Sequence, residues 1–256
     1  MKYTGLWVGG LCLLCACSSP QKAPIDYVDP FIGTGFHGHT YPGATAPFGA
    51  VQLSPDTRRG NWDASSGYHY SDSTILGFSH THLSGTGCQD LGDVLLRPTT
   101  QPVRTEGEGD IFLPAAFSHD SEKASPGYYA VTLADEQIKV ELAATTFAGM
   151  HRYSYLNDKD ASVIVDLTHI LNTDDFIYEA EVKQTADNEL VGMRRTRSWV
   201  DNQYIYFVLQ FSKPIQELQQ LNEKQAVARF GQERELIAKV GLSIVSVENA
   251  RENLLH

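Results

Sequence analysis

The residues best suited to chemistry crowd one stretch of this 256-residue chain, from Tyr27 to Leu96. Five of the nine histidines lie there: His37, His39, His69, His80 and His82. Glycines interleave them, and Trp62-Asp63 sits between them. An imidazole can move a proton, accept or donate a hydrogen bond, or ligate a metal. Glycine lets the backbone turn tightly or approach a ligand closely. Loops of this kind, held on a rigid scaffold, commonly build sites. The remaining histidines, His119, His151, His169 and His256, are scattered, so the clustering is local.

Trp62-Asp63 is the best local candidate for contact with a sugar. An indole face offers apolar area to the C–H side of a pyranose, and a neighbouring carboxylate accepts hydroxyl hydrogens. A tryptophan packed under its own loop is the competing reading, of nearly equal weight. His80-Thr81-His82 would place both imidazoles on one face of an extended segment. Two histidines so spaced can hold a metal, but a metal needs further ligands and supporting contacts. Hydrogen bonds to loop backbone are the plainer role, and contact with a substrate hydroxyl lies between the two. His37-Gly38-His39 reads the same way. His69, between Tyr68 and Tyr70, reads as a strand residue. Cys88 lies in acidic surroundings, which do not activate a thiol. It reads as a packed or pocket-lining group. Asp56, Asp63, Asp72, Asp90 and Asp93 read mainly as turn residues accepting backbone N–H bonds. Gly33-Thr34-Gly35 with Gly38 lacks the strand-to-helix context of a phosphate loop. Arg194-Arg195-Thr196-Arg197 lies in a predicted strand, where alternation separates the charges and a solvated or ion-paired edge is expected.

The positioning elements follow from patterning. From Asp93 onward, short β-rich runs alternate with turn signals. They are Tyr128–Leu133, Ile138–Leu142, Phe147–Tyr155, Ser162–Leu167, Tyr178–Gln184, Leu190–Trp199 and Tyr204–Phe211. Ala134–Gln137, Ala186–Glu189 and Asp201-Asn202 have turn composition. Gly231–Lys239 is ambiguous, and Val240–Val247 reads as a last strand. The fold class is therefore all-β, an antiparallel β-sandwich, ending in a short helix over 248–256. A helix that short needs something to pack against. It is expected to open a further domain.

The N-terminus reads as an export signal. Lys2 precedes the mostly apolar run Gly5–Ala16, which is too short to span a bilayer at the roughly 20 residues required. Leu14-Cys15-Ala16-Cys17 resembles a bacterial lipobox, which implies cleavage before Cys17, its lipidation, and a tether over 17–26. The expected location is the cell envelope, with a lipid anchor as the sole membrane contact. Cys12 and Cys15 leave with the signal, so Cys88 remains without an intrachain disulfide partner. Without Lys2 the balance is 19 basic against 31 acidic residues, 19 − 31 = −12. That argues against nucleic acid as a partner, since its binding draws on clustered Lys and Arg.

Several runs together resemble glycoside hydrolase family 92, the exo-acting α-mannosidases. They are Tyr27–Gly35, His37–Ala44, Pro47-Phe48-Gly49, Val51–Thr57, Ser66–Tyr70, Gly77–Cys88, Pro126–Tyr129, His151-Arg152-Tyr153 and Phe211–Pro214. The resemblance spans nearly all of the chain after the signal. It implies an N-terminal sandwich over 27–247, of supersandwich type, followed in the family by an (α/α)6 barrel. It further implies an inverting reaction on mannose-containing glycans. The general acid, the general base and the ligands of an essential calcium ion would lie mainly in that helical domain, so no cofactor is expected in this chain. By resemblance, the Trp62-Asp63 loop lines the leaving-group side of the pocket, with His80, His82 and Cys88 as further substrate-binding candidates. No catalytic residue and no metal ligand is assigned to this chain. Its partners would be the glycan and the helical domain. The competing function is an envelope lipoprotein that binds such glycans without cleaving them.

Overall fold

The computed structural model describes residues 22–103 and 114–255. The run read as an export signal, Cys17 and the first part of the expected tether lie outside the described residues, as does His256. In chain order the strands begin with β1 (Ala44–Thr45), β2 (Gln52–Asp56), β3 (Thr74–Ile75), β4 (Gly77–Ser79), β5 (Leu95–Thr99) and β6 (Ala115–Ala116). They continue with β7 (Lys123–Ser125), β8 (Tyr128–Leu133), β9 (Ile138–Ala144), β10 (Ala148–Tyr155), β11 (Ala161–Asp166) and β12 (Phe176–Ala186). The last are β13 (Glu189–Arg197), β14 (Gln203–Phe211), β15 (Glu217–Asn222), β16 (Gln225–Gly231) and β17 (Glu235–Ser243), followed by helix α1 (Val247–Asn253). One sheet runs β1-β2-β4-β5-β11-β16-β15 and the other β12-β13-β14-β17-β10-β9-β8-β7, with β3 and β6 paired apart. Their pairings are antiparallel.

Period-two alternation decides which side chains enter the core. Along β10, Gly149, His151, Tyr153 and Tyr155 are buried while Met150 and Arg152 are exposed. The core is filled by Leu53, Phe78, Leu96, Val163, Val165 and Phe230 of the first sheet. Facing them are Tyr129, Val131, Val140, Tyr153, Phe207, Leu209 and Val240 of the second. Each such side chain stabilises the fold by about 1.5–3 kcal/mol relative to exposure.

Two expectations are corrected. The last strand is β17, Glu235–Ser243, and not Val240–Val247; Ser246 caps α1 by accepting the Asn249 N–H at 3.1 Å. The polar run Glu217–Asn222, unassigned from sequence, is a partly exposed edge strand paired to β16, where no apolar alternation is needed. Helix α1 lies on the second sheet over β13, β14 and β17. Asn253 donates to Leu242 O at 2.7 Å, Arg251 pairs with Glu189, and Ala250 is fully buried. This packing supplies the stability that seven residues lack alone.

Gly241 is the contact point: a Cβ there would sit 2.2 Å from Ala250 O. Gly241→Ala should therefore lift α1 from the sheet and cost about 1–3 kcal/mol. Urea denaturation measures the loss, and proteolysis within 247–255 should accelerate. Unchanged stability and protection would mean that the helix is not seated by this contact.

Candidate functional site

The histidine-rich loops gather at one end of the sandwich. After β2 the chain turns through Arg58 and Gly60 into a 3-10 turn, Trp62–Ala64, whose Asn61 side chain accepts the Asp63 N–H at 2.9 Å. This turn holds Trp62 outward, 56% exposed. The edge of His39 meets the indole at 4.3 Å between centroids, and His37 lies at 5.3 Å. Asp63 Oδ1 is 2.5 Å from His37 Nδ1, and both side chains are open to solvent. His39 is buried, and its Nε2 has no hydrogen-bond partner among the described residues. Cys88 is half-buried and donates its backbone N–H to Thr86 Oγ1. Burial, then the charges of Asp90 and Asp175, push its thiol up, so it stays protonated. The structure thus groups Trp62, Asp63, His37 and His39 into one surface.

His80 and His82 go elsewhere. Both are buried, and their ring nitrogens are taken by different partners. His82 Nδ1 faces Gln52 O at 2.7 Å and Nε2 faces Asp56 Oδ1 at 2.7 Å. Nε2 also lies 3.0 Å from Ser79 Oγ, so the ring is held at both nitrogens. On the other side of the Asp56 carboxylate, His169 Nε2 approaches Oδ2 to 3.0 Å, an ion-pair distance off the line of a hydrogen bond. Burial by itself would raise the Asp56 carboxyl. The charges of His82 and His169 outweigh it and hold the group far below the ordinary carboxylate range. Gly67 closes over this pair with φ +87°; a Cβ there would meet Asp56 Oδ1 at 2.1 Å.

A second buried pair lies alongside. Arg194 Nη1 donates to Asp93 Oδ1 at 2.9 Å, and Nη2 donates to His169 O at 2.6 Å. Thr81 and Gln203 donate to Asp93 Oδ2 at 2.7 and 2.8 Å. The expectation of a solvated or ion-paired edge holds for Arg194 in the ion pair but not in the edge, since the pair is buried. Strand β13 is flanked by β12 and β14, and alternation sends Arg194 inward while Arg197 stays exposed. His69 is likewise a loop residue and not a strand residue, its ring nitrogens facing Phe36 O and Ser71 Oγ.

His80 belongs to a third group that joins the sheets. Its Nδ1–H donates to Val94 O at 2.6 Å, which leaves Nε2 as an acceptor. His151 Nε2–H donates to it at 3.0 Å, and the Tyr153 hydroxyl donates to His151 Nδ1 at 3.0 Å. Both rings are neutral. Burial pushes His80 down to about 4, and burial with the neighbouring His80 pushes His151 well below 6.5.

Sequence reading did not find His169 or the buried role of Arg194, because neither lies near the glycine-rich run. It also passed over Trp199. That residue is 79% exposed on the β13–β14 turn, just before Gln203 of β14, which reaches Asp93. No local signal separates these residues from ordinary turn and strand positions.

Burial should separate two otherwise similar pairs. His82→Ala strands a buried carboxylate and should cost about 3–5 kcal/mol. His37→Ala, at an exposed pair, should cost under about 1 kcal/mol. Urea titration at neutral pH compares them, and equal losses would contradict the assignment. The pH dependence follows from the depressed histidines. Below about 6.5 the unfolded chain binds protons that folded His80 and His151 refuse, so stability falls as pH drops toward about 4. Each group contributes a slope of up to about 1.4 kcal/mol per pH unit. The His80→Gln/His151→Gln double variant should have a shallower slope in that window, though lower stability at pH 7. An unaltered slope would count against the neutral pair.

With this geometry in hand, the comparisons with known proteins are specific. Residues 27–243 match the glycosyl hydrolase family 92 N-terminal domain. A family GH92 α-mannosidase of Bacteroides thetaiotaomicron, solved alone and with mannoimidazole, superposes with a TM-score of 0.80 at 34% identity. The alignment covers 90% of this chain and 34% of that one. A second GH92 family glycosyl hydrolase gives 0.75 at 31% identity, over 89% of this chain and 33% of that one. An uncharacterized secreted glycosidase of Arthroderma benhamiae is 29% identical over 189 residues, 66% of this chain and 23% of that protein. The chain thus spans about a third or less of the length of these relatives. By its motifs, its two-sheet architecture and its superposition, the chain belongs to glycosyl hydrolase family 92, whose N-terminal β-sandwich domain it comprises.

Proposed function

We propose that this chain supplies the N-terminal wall of an α-mannosidase acting on mannose-containing glycans, lining the leaving-group side of the pocket. The observation that carries this reading is the exposure of Trp62 beside Asp63 and His37, at an end where other charged side chains are buried in pairs. The indole would take the C–H face of a pyranose while Asp63 accepts a hydroxyl hydrogen. His80 and His82 support the surface from below instead of touching sugar.

Inverting hydrolysis needs a carboxylic acid and a carboxylate about 6.5–9.5 Å apart. The carboxylates at this end are otherwise engaged: Asp56 by two imidazoles, Asp93 by Arg194, Asp72 by Arg58 and Asp63 by His37. We assign them to building the surface, and the proton transfers to the helical domain that accompanies this one in the family. Calcium takes six to eight oxygen ligands. Among the described residues no three His, Cys, Asp or Glu side chains converge to hold a metal. We therefore place the family's calcium ion with the helical domain. The lipobox-like run ending at Cys17 supports attachment to the cell envelope.

The openness of Trp62 also suits the second reading, a lipoprotein that holds mannosides without cleaving them. Purified chain should release no mannose from mannobiose; robust turnover would overturn the assignment of the proton transfers. Calorimetry with millimolar mannobiose should give weak heat that Trp62→Ala abolishes. Heat unaffected by that substitution would remove Trp62 from the sugar surface.

A further inference from the structure

A second cleft, of about 430 Å3, shares no lining residue with the Trp62 surface. It is formed by Asp29, Phe31, Ile32, Thr34, Gly35, Tyr70, His119 and Glu122. The Glu122 side chain is only 1% exposed. It accepts hydroxyl protons from Tyr68 at 3.0 Å and Tyr129 at 2.5 Å. Burial, and then the charge of Glu122, push both phenols up, so both remain donors. The same carboxylate accepts the Nδ1–H of His119 at 2.5 Å, which leaves Nε2 as the lone-pair nitrogen. Tyr70 stacks on the imidazole at 4.1 Å and 14°, and Phe117 meets it edge-on at 5.1 Å. The ring is thus held on two sides and at one nitrogen.

The polar character of this cleft is one-sided. Thr34 spends its hydroxyl proton on Phe31 O, and Asp29 Oδ1 accepts the Phe31 N–H. Asp29 and Glu122 are acceptors, as is His119 Nε2 while Nδ1–H stays on Glu122; Phe31 and Tyr70 give aromatic surface, and among the described residues the lining holds no Lys or Arg. A phosphate or carboxylate would meet two carboxylates there. A neutral sugar could donate hydroxyl hydrogens to these acceptors, as at Trp62, but it brings no charge to meet the carboxylates. An ammonium group carries three donors and no acceptor, and aromatic faces beside carboxylates attract it. We propose that this cleft binds a small molecule through a protonated primary amine, which donates to His119 Nε2 and to the Asp29 carboxylate beside the Tyr70 ring. The site is independent of the mannoside surface proposed above.

The test uses the full chain and the imidazole C–H signals in its NMR spectrum, with the His119 signal assigned by its loss in His119→Gln. Glucosamine and putrescine should shift that signal saturably. N-acetylglucosamine, which keeps the ring but lacks the charge, should bind at least tenfold more weakly. Asp29→Asn keeps the acceptor for Phe31 N–H at an exposed position and should weaken amine binding about fivefold. Trp62→Ala should leave binding unchanged, which separates this site from the mannoside reading. The absence of saturable response to either amine, an equal response to N-acetylglucosamine, or indifference to Asp29→Asn would each overturn the proposal.

Discussion

The loop end of this domain depends on one buried carboxylate. Asp56 leaves β2 into a space without solvent, and an ion there must be paired. Its two oxygens meet imidazoles from different loops, His82 from the segment after β4 and His169 from the segment after β11. These three positions are far apart in the chain, so the pairing forms only when the loops adopt one mutual arrangement. Arg194 extends the constraint. Its guanidinium ties Asp93, a neighbour of the same loops, to the backbone of His169. Buried pairs of this kind add little net stability over apolar packing, because desolvation consumes most of the attraction. What they contribute here is position: removing any partner strands a charge.

On that bed the exposed residues acquire meaning. Trp62 stands out because a three-residue turn, capped by Asn61, presents it and His39 props its ring. Asp63 and His37 flank it in solvent. Chemically alike residues therefore play opposite parts at the same loops. The paired aspartates below are spent on architecture, while Asp63, paired with His37, stays open to solvent. The His80–His151 bridge shows a third use of imidazole, as a neutral polar link between the two sheets. It satisfies buried polar groups where burial forbids charge.

The short helix after β17 shows the same dependence on context. Its seven residues have helix-forming composition and a serine cap, but its stability comes from the bare backbone of Gly241, on which Ala250 lands. Strand and helix are therefore parts of one packed unit, and the sandwich presents α1 on the outer face of its second sheet.

Much of this protein could be read from residue order alone. Alternation with turn composition located strands β8 to β14 to within a few residues, because period two leaves its mark wherever one face is buried. The long glycine-rich motifs placed the chain in its family. Trp62-Asp63 stood out as an aromatic beside a carboxylate, but whether the indole packs under its loop or faces solvent was not legible from the residues alone. Other features were invisible. Edge strand β15 carries no apolar alternation, since none of its side chains is fully buried. The partnerships of Asp56 with His169 and of Asp93 with Arg194 span about a hundred residues, and no local pattern encodes such distances. Whether a histidine lies under the surface or on it is decided by what other segments place around it. Residue type and spacing set the available chemistry; only the closing of two sheets on each other determined which groups kept it.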